Sequence, residues 1–149
     1  MAHHYYPDEL SALDEVRAVY AAVDARPVER NCTLRTECCH FKLTGETPML
    51  TKGEAMLAAK AVRAAGRKKL PEREDGVCPL LHPHTQRCII YKDRPFGCRT
   101  HFCEAAGGAY ERHEVIDLIR RLEDVDAKVG GQGAMSLPAA IAGALRDIS

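Results

Sequence analysis

Between Asp8 and Ala25 the apolar positions Leu10, Leu13, Val16, Val19, Tyr20 and Val23 recur every three or four residues, which puts them on one face of an amphipathic helix over 8–25. Pro27 ends the pattern, because its ring cannot continue a helix. Thr51-Lys52-Gly53-Glu54 has the spacing of a capping box, with a hydroxyl able to accept from the third helical amide and a glutamate able to reach back to the cap. It predicts a second, alanine-rich helix over 52–67. A third stripe, Val115, Leu118, Ile119, Leu122, Val125 and Val129, predicts a helix over 110–129 that stops at Gly130-Gly131-Gln132-Gly133. Ser136 can cap a last helix over 137–147, with Pro138 tolerated in its first turn.

Two segments lack the helical period. In 32–50, Phe41 and Leu43 alternate with Lys42 and Thr44 ahead of Gly45, which predicts a short strand and turn. In the other, 77–81 and 87–91 can pair as a hairpin across His82-Pro83-His84-Thr85. The fold class expected is mostly α: a small single-domain helical scaffold over 1–149 with cysteine-bearing loops and one or two short β-hairpins. Its cysteine-bearing core spans about 32–103, preceded by helix 8–25 and followed by helices 110–129 and 137–147.

A chain of 149 residues can bury roughly two thirds of its unfolded surface around one core. Aromatic content is 5 %, without Trp, so that core must be built mainly from Ala, Leu, Val and Ile. A metal centre would compensate for such thin packing. The 21 basic and 21 acidic residues cancel, which removes the electrostatic footprint of a general nucleic-acid binder. No apolar run approaches the roughly 18 to 20 residues that cross a bilayer, so a membrane is not an expected partner. Locally, Lys60, Arg63, Arg67, Lys68, Lys69 and Arg73 gather with only Glu72 opposing them. They read as a solvated helix end favoured by its own dipole, or as a local dock for an acidic partner or a nucleic acid.

The chemistry lies in the two non-helical segments, which hold all seven cysteines: Cys32, Cys38, Cys39, Cys78, Cys88, Cys98 and Cys103. An odd number cannot all pair as disulfides, and the first residues show neither a basic nor an apolar signal region. The expected location is therefore the reducing cytoplasm, where clustered thiols bind metal more often than they crosslink. A soft metal ion or iron–sulfur cluster needs thiolates converging from several backbone segments, and loops can aim them. The competing reading, buried cysteines as small hydrophobes, suits one or two of the seven. In extended backbone Cys38 and Cys39 would point to opposite sides and so serve different ligand positions or different sites. No gap between cysteines is the two-residue spacing of a zinc knuckle, which argues against an ordinary zinc finger. The chain also lacks a glycine-rich strand-to-helix turn and a recognisable nucleophile motif.

The run Cys78-Pro79-Leu80-Leu81, then Cys88 through Tyr91-Lys92-Asp93-Arg94-Pro95-Phe96-Gly97-Cys98-Arg99, then Cys103, preceded by Cys32 and Cys38-Cys39, resembles the bacterial YkgJ-type cysteine-cluster family. That family is described as zinc- or iron-chelating, and the resemblance covers about 32–103. Its pattern has eight cysteines, and Arg35 stands here at the second place. His40, His82, His84 or His101 could supply the missing ligand, His101 being the best placed by sequence. The resemblance implies that the metal ligands are drawn from all seven cysteines, or from four of them with the rest supporting the site by packing or sulfur hydrogen bonds, and that the cofactor is an iron–sulfur cluster, favoured by the spacing, or zinc. Arg94 and Arg99 would either offset thiolate charge or hold an anionic substrate, or else fix a turn with neighbours such as Asp93. The expected role is a redox, metal-handling or accessory module, with a metal ion or cluster and a protein as partners. A related cluster in flagellin lysine methylases makes a group-transferring enzyme the first alternative, and a zinc-stabilised interaction module the second.

Overall fold

The computed structural model describes residues 6–25, 48–70, 77–82, 84–85, 87–100 and 112–147. Cys32, Cys38, Cys39, Cys103, His40, His101 and the strand expected at 41–45 lie outside these residues. In chain order the described elements are α1 (Tyr6–Asp24), β1 (Met49–Leu50), α2 (Lys52–Ala64), a 3-10 turn (Tyr91–Asp93), α3 (Phe96–Thr100), α4 (Arg112–Lys128), β2 (Met135–Ser136) and α5 (Leu137–Asp147). The fold is mostly helical, as expected.

The apolar stripes become two adjoining cores that share α2 as their common wall. On one side Leu13, Val16, Val19 and Val23 of α1 meet Val115, Leu118, Leu122 and Val125 of α4, with Leu57 of α2 and Phe96 of α3 closing the cluster. On the other, Ala55, Ala58, Ala59 and Val62 of α2 face Leu137, Ala140, Ile141, Ala144 and Leu145 of α5. Alanines on both partners let these helices approach closely, which is how a chain poor in aromatics still fills a core. The short strands start both helices of this second core: β1 pairs antiparallel with β2 (Met49 with Ser136, Leu50 with Met135), and the Leu137 amide donates to the Pro48 carbonyl at 2.9 Å. This pairing across 85 to 87 positions of sequence (50 with 135, 49 with 136) has no local signal.

Three departures from expectation have physical causes. Helix α2 ends at Ala64 rather than 67, because Gly66 adopts φ +85° and closes a Schellman motif, with Gly66 N on the Arg63 carbonyl (2.9 Å) and Arg67 N on the Val62 carbonyl (3.1 Å). Among the described residues, the pairing expected between 77–81 and 87–91 contracts to the bridge of Leu81 with Cys88, supported by His82 N to Arg87 O and Ile89 N to Leu80 O, both 2.8 Å. Beyond it the chain winds into the 3-10 turn and then into α3, so Cys98 sits on a helical turn and not in irregular loop.

The three long helices meet at Gly53. A Cβ there would lie 2.6 Å from Val125 Cγ1 and 3.1 Å from Val16 Cγ2, so only glycine admits this approach. Beside it the buried Asp126 carboxylate accepts from Lys52 N (2.8 Å), an orphan amide of the first turn of α2, and from Gly133 N (3.0 Å). The glycine run after α4 is thus a turn pinned by Asp126.

Candidate metal centre

The three described thiols come from three backbone stretches, and each packs in or against the α2–α5 core. Cys78 opens a turn whose carbonyl accepts from Leu81 N (3.0 Å), and its side chain is 3 % exposed within the α2–α5 core. Cys88 follows on the bridge opposite Leu81, and Cys98 on α3; both are partly buried against that same core. Their donor chemistry, soft thiol sulfur set at the edge of an apolar wall, suits zinc or iron. Among the described residues no three His, Cys, Asp or Glu side chains are placed to hold a single metal ion.

The segment from Tyr91 to Arg99 is held by its own arginines. Arg94 lies over the Tyr91 ring at 4.4 Å and donates from Nη1 to the Cys98 carbonyl at 3.2 Å. Arg99, 6 % exposed, donates from Nε to the Arg94 carbonyl (2.8 Å), from Nη1 to Asp24 and from Nη2 to the Lys92 carbonyl. Its plane stacks on Tyr20 at 4.3 Å. Burial lowers the Arg99 pKa, and Asp24 opposes that shift and supports the cation. With every nitrogen engaged, Arg99 fixes the turn and is not presented to an anionic substrate. The turn-fixing reading of both arginines is the one the geometry favours.

Tyr20 and Glu54 complete the setting. Glu54, 2 % exposed, accepts at Oε2 from Thr51 N and Thr51 Oγ1 (both 3.0 Å), and at Oε1 from the Tyr20 hydroxyl (3.1 Å) and Phe96 N (2.8 Å). The capping box expected at Thr51 is therefore present, and its glutamate does more than cap. Burial pushes the Glu54 carboxyl up while the donors hold it down; burial and Glu54 together push the Tyr20 hydroxyl well up, keeping it a proton donor. The Tyr20 stripe position and the Thr51 box were both visible in the sequence, but nothing there linked Tyr20, Asp24 and Glu54 to the cysteine segment.

Of the histidines, His82 turns its Nδ1 inward to accept from His84 N (3.1 Å) and Thr85 N (3.2 Å). The neutral ring then carries its proton on Nε2, leaving no lone pair for a metal while this turn stands. His84 is exposed, its ring 5.7 Å from that of His82. In the basic cluster Arg63 donates to the Leu145 carbonyl (3.5 Å) near the end of α5, while Lys60, Lys68 and Lys69 are exposed.

Scaffold and donors define a class: a small helical protein that carries a thiol-rich metal-chelating region. The chain belongs to the CxxCxxCC family, described as "putative zinc- or iron-chelating domain", whose family model matches residues 30–117, more than half of the chain. The motif of the family's name falls on Cys32, Arg35 and Cys38-Cys39, with arginine at its second place. No curated protein and no solved structure matches the chain.

Proposed function

We propose that the protein is a cytoplasmic metal-binding module in which Cys32, Cys38, Cys39, Cys78, Cys88, Cys98 and Cys103 supply the ligands of an iron–sulfur cluster or of zinc, serving a redox, metal-handling or accessory role. The observation that carries this reading is the match of residues 30–117 to a zinc- or iron-chelating family, supported by the packing of Cys78, Cys88 and Cys98, from a turn, a bridge and a helix, in or against the α2–α5 core. The remaining ligands come from the cysteines of 32–39 and from Cys103. Each ligand thiol gives up its proton on binding, so uptake is proton-coupled and weakens in acid. A bound metal would crosslink chain segments distant in sequence and add its binding free energy to folding. The burial of Arg99 favours holding a metal over capturing an anionic substrate, because that guanidinium already serves Asp24 and two backbone carbonyls.

Anaerobic purification followed by metal and acid-labile sulfide analysis tests the reading. Iron with matching sulfide identifies a cluster, and zinc without sulfide identifies a zinc site. Less than about 0.2 metal per chain, with the protein still folded, overturns the proposal, since ligand-coupled folding requires occupancy near unity.

A further inference from the structure

Cys98 is clamped on both flanks, and both clamps lead to one buried pair. On its N-terminal side, the Phe96 amide that begins α3 donates to Glu54 Oε1 at 2.8 Å across 42 positions of sequence. On its C-terminal side, Arg99 stacks on the ring of Tyr20, whose hydroxyl donates to the same Oε1 at 3.1 Å. The capping box needs only Oε2, which serves Thr51. Oε1 is therefore spent wholly on joining α1 and the Cys98 segment to α2. The Tyr20 hydroxyl also lies within electrostatic reach of the Cys98 sulfur. Asp126 offers a contrast within the same molecule: it is another buried carboxylate joining distant segments, but its partners are Lys52 and Gly133 and no cysteine neighbour.

We propose that Glu54, with Oε1 seated on the Phe96 amide and the Tyr20 hydroxyl, is a positioning residue that sets the direction in which α3 offers the Cys98 thiolate to the metal. The inference rests on the reading above, that Cys98 is a ligand. A carboxylate that never touches the metal then controls its affinity and ligand field, as hydrogen-bonded outer partners do at metal sites generally. Glutamine at 54 presents one oxygen where the carboxylate presents two, so it cannot accept from Thr51 and from Phe96 with Tyr20 as the native side chain does.

The test is anaerobic cobalt(II) titration of the full chain, read by the thiolate-to-cobalt charge-transfer band, with zinc affinity measured against a chromophoric chelator. Glu54→Gln should weaken zinc binding about ten- to a hundredfold and shift the cobalt band. Tyr20→Phe keeps the carboxylate and the Phe96 bond, and should move both readouts the same way by less. Asp126→Asn should lower the thermal midpoint while leaving affinity and spectrum as in the parent, which separates positioning from general destabilisation. If Glu54→Gln does not fold, Tyr20→Phe decides alone. Parental affinity and spectrum in the folded Glu54 and Tyr20 variants, with Cys98→Ser clearly altered, overturn the inference only. A Cys98→Ser variant with parental affinity and spectrum overturns the ligand reading, and the inference with it.

Discussion

The two faces of α2 are packed on different principles. Toward α1 and α4 it meets continuous stripes of Leu and Val, stitched at the rim by the paired Glu15–Arg121 contacts (Nε to Oε2 3.0 Å, Nη2 to Oε1 2.8 Å). Toward α5 it meets Ala140 and Ala144 set among Leu137, Ile141 and Leu145, and the space beyond is filled by Leu80, Leu81 and Ile90 of a chain segment that holds an isolated bridge and a 3-10 turn before α3, whose Phe96 belongs to the other core. Cys78, Cys88 and Cys98 all lie on that second side. Helical stripes bury enough aliphatic surface to hold themselves, whereas a short irregular segment with few backbone bonds needs another source of free energy. The contrast teaches where metal binding should matter to folding and where it should not.

Mutations on the helical side should cost stability while sparing the metal. The largest effect is expected from Leu118→Ala, which empties a site 2 % exposed and should cost about 2 to 5 kcal/mol in denaturant melts. Metal content should stay at the parental value. Gly53→Ala comes next, at about 1 to 3 kcal/mol, since its Cβ would press on Val125 and Val16. A melting point within error of the parent's would show that the three helices can part without penalty.

The smallest effect concerns Glu15. Its side-chain hydrogen bond to Arg121 holds the carboxyl below its ordinary value of 4.5. A depressed folded-state pKa contributes stability that is fully present above the unfolded value and is lost as pH falls through the folded one. The pair is well exposed, so Arg121→Gln should cost under about 1 kcal/mol at pH 7, less at high salt, and the deficit should vanish in acid below the depressed pKa. A deficit that persists there would assign the loss to the packing of the arginine stem.

This same division marks what could be read from the sequence. The helices follow from 3.6-residue stripes and local caps, both of which are short-range, and the observed ends fall within a residue or two of the expected ones except where Gly66 intervenes. Gly66 was visible as a glycine near a helix end, but only its left-handed φ makes it the stop. The cysteine segment was legible as chemistry and not as shape. Nothing local distinguishes a loop at 94–100 from the helical turn that Glu54 caps, because the capping group lies 42 positions away. Arg99 illustrates the limit most clearly. Next to a candidate ligand it reads equally as an anion receptor or as a turn lock, and only the positions of Asp24, Tyr20 and the Lys92 carbonyl decide.

Hydrogen exchange with and without a metal chelator tests the central claim, that the helices packed on α2 are held by aliphatic contacts whereas the cysteine-bearing segment beside them depends on metal. Chelation should raise exchange at Ile89 N, His82 N and Cys98 N more than about tenfold, while amides in the middle of α1 and α4 change less than about twofold. The Phe96 amide, anchored on Glu54, should fall between. Equal protection of that segment in the presence and absence of chelator, or a loss shared equally by α1 and α4, would contradict the account.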